Sequence, residues 1–131
     1  MSGRLIGVIR AYLNGIERGD QDAVLACFLP GAVQVEWPNR IKPAGAERGL
    51  AEMMADFKKG MALLASQSYE ISRQLEGDSY VVVELTWRGR LAVPLGSLAA
   101  GAEMVAHSAI AFDFEGDKIL AQRNYDCFEP F

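Results

Sequence analysis

The chain has 131 residues, enough for a single domain over 1–131 and too few for two of ordinary size. Half of the residues are hydrophobic and 23% are charged, a composition that buries a core without disulfides or structural metal. The 13 basic and 17 acidic residues leave a net charge of -4, which excludes nucleic acid and anionic membrane as expected partners, since both recruit a basic surface. Two cysteines, Cys27 and Cys127, make no disulfide framework and read as reduced thiols of a cytoplasmic protein. One histidine, His107, excludes a multi-histidine metal site, so no metal is expected. No apolar run approaches the ~18–20 residues that span a bilayer. The N-terminus lacks the unbroken apolar stretch and cleavage site of a signal peptide. Glycine-rich dinucleotide and P-loop motifs are missing, so no cofactor is expected either.

In chain order, residues 2–18 place Leu5, Val8, Ile9, Tyr12 and Ile16 on one helical stripe. Gly19 stops that helix, and Asp20 is placed to N-cap a second one running through Ala23, Val24, Cys27 and Phe28. Pro30-Gly31 predicts a turn, and residues 32–37 alternate like a short strand closed by Pro38-Asn39. A long amphipathic helix is expected over 46–65, with Leu50, Met53, Met54, Phe57, Met61 and Leu64 on its apolar stripe. The period then changes to two. Strands are expected at 67–76, 80–93, 102–114 and 118–128, with turns at Glu76-Gly77-Asp78 and Glu115-Gly116-Asp117 and a loop over 94–101. On the second of these strands Val81, Val83, Leu85, Trp87, Leu91 and Val93 share a face. Met104, Ala106, Ser108, Ile110, Phe112 and Phe114 share one on the third. Helices gathered first and strands last make an α+β domain with helices on one face of a curved antiparallel sheet. The opposite face, with Tyr80, Val82, His107, Ala109 and Ala111, is apolar enough to predict a homodimer through the sheet.

This order resembles the nuclear transport factor 2-like superfamily, which includes ketosteroid isomerases, limonene-epoxide hydrolases and SnoaL-like polyketide cyclases. The resemblance covers essentially the whole chain. The stretch from Tyr12 through Gly19-Asp20 to Ala32-Val33-Gln34-Val35-Glu36 looks most like the ketosteroid isomerase pattern. The tail, Phe112-Asp113-Phe114-Glu115-Gly116-Asp117-Lys118-Ile119 and Arg123-Asn124-Tyr125-Asp126-Cys127-Phe128-Glu129-Pro130, resembles SnoaL-like proteins more closely. The resemblance implies a cone-shaped (cystatin-like) fold with three N-terminal helices packed on the sheet. It also implies a cleft between sheet and helices, mostly apolar with a few convergent polar groups. A carboxyl group there has its charged form disfavoured, which raises its pKa toward the range useful for proton transfer.

By the same resemblance, Glu36 falls where the isomerases carry their general-base carboxylate; the alternative is a solvated glutamate at a strand end. Tyr12 matches the isomerases' oxyanion-donor tyrosine by spacing, against the alternative of a core tyrosine with a satisfied hydroxyl. Ile110 stands where their second donor, a protonated aspartic acid, should be, and losing such a donor costs ~10²–10³ in rate. SnoaL-like cyclases place a catalytic acid late in the sheet, and Asp126 is the only acid within the last strand. Alternation puts Asp126 with Gln122, Asn124 and Phe128, opposite Arg123, Tyr125 and Cys127; pairing with Arg123 or Lys118 is the competing role. Trp37, Trp87, Phe57 and Phe112 are expected to wall the pocket or pack the core, while Glu36 or Asp126 would act as base and Tyr12, with Asn124, would stabilise a developing enolate oxygen. His107 is expected on the dimer side, and neither cysteine has a neighbour in sequence that would activate it. Three functions follow. The chain is an enzyme shuttling protons on a small apolar carbonyl compound (isomerisation, cyclisation or dehydration), a non-catalytic dimer binding an apolar metabolite, or an assembly module.

Overall fold

The first helix, α1 (Arg4–Arg18), turns Leu5, Ile6, Ile9, Tyr12 and Leu13 inward in the computed structural model, which describes residues 3–131. The expected helix start at residue 2 lies outside the described residues. The helix ends at Gly19, whose left-handed backbone (φ 68°) lets its N–H reach the carbonyls of Gly15 and Ile16. Its N-terminus has no local side-chain cap. The Glu76 carboxylate, 70 residues away from Ile6, accepts the N–H groups of Leu5 (3.3 Å) and Ile6 (3.1 Å) instead. Asp20 caps α2 (Gln21–Leu25) by accepting from the Ala23 N–H at 3.1 Å. That helix is shorter than the sequence predicts: Phe28 already belongs to β1 (Phe28–Glu36).

Pro30-Gly31 is not a turn between elements. It lies inside β1, in the stretch between Phe28 and Val33 where the register with the neighbouring strand shifts. A proline without an N–H is tolerated there because no ladder bond is due. The expected helix over 46–65 divides into β2 (Ala46–Arg48) and α3 (Leu50–Leu63), and Leu64 opens β3 (Leu64–Glu76). Gly49 separates the first two, and the Glu52 carboxylate accepts its N–H at 2.9 Å. Ladder pairing of β2 with Gln34, Val35 and Glu36 of β1 outweighs the helical propensity of the segment.

β4 (Tyr80–Leu91), β5 (Glu103–Glu115) and β6 (Lys118–Phe128) complete a six-stranded sheet ordered β2-β1-β6-β5-β4-β3. All neighbours are antiparallel except β1 and β6, which run parallel. The expected apolar face of β4 is one residue pair too long, for Val93 lies beyond the strand and is exposed. Register shifts in β1, β3 and at the β5–β6 turn bend the sheet. Its concave face buries Val81, Val83, Ile110, Phe112 and Ile119 against Leu5, Ile9 and Leu13 of α1. The fold is the expected α+β arrangement, with six strands where five were predicted. No helix among the described residues is long and apolar enough to cross a membrane.

Candidate functional site

One end of the concave face is not filled by side chains. A cavity of about 360 Å³ opens there between the sheet, α1 and α3, within the size range of small-molecule sites. Met53, Met54 and Phe57 of α3, Leu85 and Trp87 of β4 and Ile110 of β5 form its apolar wall. Trp87 is held in place at both ends. Its Nε1–H donates to Gln67 Oε1 at 2.9 Å, and its ring lies over Gly89, where a Cβ would meet the ring at 2.5 Å. Glycine in mid-strand is thus required by the close approach of the indole.

The polar groups come from two sides. On β6, the face that alternation assigns to Gln122, Asn124 and Asp126 is the inward one. Asp126 pairs in register with Ser108 of β5, whose hydroxyl donates to Asp126 Oδ1 at 2.6 Å. Burial raises the Asp126 pKa above the ordinary carboxylate value. The Ser108 bond pulls against that rise, and the nearby Glu36 charge adds to it. Arg123, offered as its competing partner, instead binds Asp113 at 2.8 Å, while Lys118 donates to the Ala26 carbonyl. Asp126 therefore has no cationic partner among the described residues.

Tyr12 reaches the same cavity from α1, its ring edge-on to Phe28 and Phe112. Gln122 Nε2 donates to the Tyr12 hydroxyl (3.1 Å) and to Asn124 Oδ1 (2.8 Å). Desolvation by burial dominates the Tyr12 pKa and pushes it to about 12, so the hydroxyl keeps its proton and remains a donor. Gln122 is 1% exposed, and its Oε1 is the only buried side-chain polar atom without a partner among the described residues.

Glu36, beside Asn124 on the neighbouring strand β1, also lines the cavity, with both oxygens engaged. Arg48 Nη2 donates to Oε1 at 2.9 Å, and Asn39 Nδ2 to Oε2 at 2.8 Å. Arg48 is only 7% exposed; it also donates to Gln34 Oε1 at 3.2 Å and stands 3.5 Å from Asp56. The structure thus separates the two acids. Glu36 is tied into a charged network, whereas Asp126 holds one neutral donor in an apolar recess.

Of the other predicted contacts, Asn124, Phe57 and Trp87 line the cavity. Phe112 lies beneath it, fully buried in the core, and is not a wall residue. Trp37 faces away: it is 44% exposed and packs against Tyr125 on the convex face, as its alternation opposite to Glu36 requires. His107 is also on that face, 2.8 Å from Glu129. Cys27 is buried and Cys127 exposed; burial pushes the Cys27 thiol up, away from reactivity. Among the described residues no group of three or more His, Cys, Asp or Glu could hold a metal ion.

Sequence reasoning missed Arg48, Ser108, Tyr69 and, as a partner of Tyr12, Gln122. Ser108 and Gln122 carried a usable signal, being polar at inward positions of apolar strands. Arg48 carried none, because the predicted helix hid the strand that turns it inward.

The same architecture recurs in solved structures at low identity. IdmH from Streptomyces antibioticus, a provisionally assigned polyketide cyclase, superposes with a TM-score of 0.78 at 13% identity, covering 92% of this chain and 90% of that one. An LEH-like epoxide hydrolase from M. tuberculosis gives 0.71 at 17% identity, with 96% and 83% covered. An NTF2-like protein of unknown function from Burkholderia pseudomallei gives 0.76 at 19%, with 95% and 91% covered. No curated protein matches the sequence significantly. At these identities the likeness speaks for the fold, which is the nuclear transport factor 2-like one. Residues 9–122 match the SnoaL-like domain, and the chain belongs to that family.

Proposed function

We propose that the cavity is the active site of an acid–base enzyme that moves a proton on a small, mostly apolar carbonyl compound. Asp126 is the base and Tyr12 a donor to the oxygen that becomes negative. The observation that carries this reading is the state of Asp126, a carboxylate in an apolar cavity with a single hydroxyl partner and a raised pKa. A base in that position combines a free lone pair with an affinity for protons above that of an exposed carboxylate. Glu36 suits a supporting role, since Arg48 and Asn39 already occupy both of its oxygens. Two structural neighbours named for enzymes, a polyketide cyclase and an epoxide hydrolase, favour a catalytic reading over an assembly role. A non-catalytic binder is the second reading, and Ile110 supports it by placing an alkyl group where a further polar donor could have stood.

Exchange of α-protons for deuterium tests the proposal on any enolisable ketone the cavity admits. A panel of cyclic and aryl ketones in D2O, followed by NMR, should include compounds whose exchange the protein accelerates. Asp126→Asn should reduce that acceleration by about 10²–10⁴-fold, the usual value of a positioned base. Glu36→Gln should reduce it less. Binding of these ketones with no exchange would instead make the protein a binder.

A further inference from the structure

A carbonyl oxygen that gains charge in the transition state needs donors aimed at it, and Tyr12 supplies one. Tyr69 has the attributes of another. It stands on β3 in register with Trp87, on the inner face, and lines the same cavity as Tyr12 and Asp126. Its backbone N–H is committed to Glu17 at 2.7 Å, which fixes the strand against α1, but its hydroxyl has no protein partner among the described residues. That hydroxyl is not sealed in the core either. Gln122 Oε1 is the one such buried orphan among the described residues, so the Tyr69 oxygen is reachable from open space. Burial holds the phenol well above its usual pKa. Tyr12, Asp126 and Glu17 add to the rise. A phenol kept neutral in this way can only donate or accept a hydrogen bond, and no group among the described residues claims its proton.

We propose that Tyr69 is a second oxyanion donor, its hydroxyl and that of Tyr12 converging on the carbonyl oxygen of an enolisable ketone. The proposal rests on the proton-transfer reading for its chemical step. In that step the Asp126 carboxylate takes an α-proton, and the C–H electron pair becomes the C=C bond of the enolate. The carbonyl π pair moves to oxygen, where the two hydroxyls bear the charge. Protonated Asp126 then returns the proton to a carbon of the enolate, leaving the protein unchanged.

The donor pair can be tested without turnover, using 2-naphthol, whose neutral and ionised forms absorb differently, as the oxyanion mimic. The Asp126→Asn protein, alone and with Tyr12→Phe, Tyr69→Phe or both, is titrated with it, because this background removes the one carboxylate lining the cavity that has no cationic partner among the described residues. Naphthalene, which presents no oxygen, reports whether the pocket itself is intact. Each single Phe variant should bind the naphtholate about tenfold or more weakly, with naphthalene affinity unchanged, because a hydrogen bond to a charged oxygen is lost. Tyr69→Phe indistinguishable from its parent, with Tyr12→Phe impaired, overturns the role of Tyr69 and leaves Asp126 as base untouched. Failure of the naphtholate to bind any form overturns the donor pair altogether. Conversely, naphtholate binding that needs both tyrosines, with α-proton exchange unaffected by Asp126→Asn, retains the pair and refutes the base.

Discussion

Asp126 and Glu36 are both carboxylates facing one cavity, and their neighbours give them different chemistry. Arg48 and Asn39 satisfy both oxygens of Glu36, while Asp126 has one bond from Ser108 and no cationic partner among the described residues. A residue kept in that state burdens the fold. Because the folded-state pKa of Asp126 is raised, the native protein holds its proton more tightly than the unfolded chain does. Stability therefore falls as pH rises from the ordinary carboxylate value through the raised one, and the penalty is complete above it. Asp126→Asn keeps an acceptor for Ser108 and removes the charge, so it should melt higher than wild type at neutral pH. The gap should close below the ordinary carboxylate pKa, where both proteins are neutral at this position. A thermal melt at both pH values checks this. Asp126 was legible in the sequence because alternation put it on one face with Asn124 and the family resemblance expects an acid late in the sheet. Its separation from Glu36 was not, since it depends on Arg48 and Ser108, which reach the acids across strands.

At the level of elements, α1 is held by a contact that no local pattern announces. α1 begins at a glycine with no side chain to cap it, and Glu76 at the far end of β3 takes that place. Glu76→Ala should cost about 1 kcal/mol, as the loss of an N-cap does, measured by urea denaturation. It should leave the cavity intact, because Glu76 lies outside its wall. Long elements with unbroken periodicity, such as β4, β5 and β6, were legible to within a few residues. The short strand β2 was not. Its three residues have no period of their own and are fixed by pairing with Gln34, Val35 and Glu36. The Pro30-Gly31 pair misled for a related reason: a turn signal inside a strand is tolerated only where the partner's register slips.

For the whole molecule, the sheet has two faces with different fates. The concave one forms the core and the cavity. The convex one exposes Val33, Trp37, Tyr80 and Tyr125, large apolar side chains of the kind that contacts between subunits cover. We expect a homodimer through this face, for which sedimentation should give twice the chain mass. Tyr125→Arg should then reduce it to the chain mass, whereas a wild-type monomer would contradict the expectation. The fold was legible because helix and strand periods succeed one another in a distinctive order. The function was less so, because this architecture supports many chemistries and the site is assembled from α1, β1, β2 and the last strands. The central claim is that the cavity dries one carboxyl group enough to make it a base. The most direct test is an NMR pH titration of the protein with labelled aspartate side chains, assigned by Asp126→Asn. The account predicts that the Asp126 carboxyl titrates above the ordinary ~3.9 of an aspartate. A midpoint at or below that value would put the group in water or in an ion pair and contradict the mechanism.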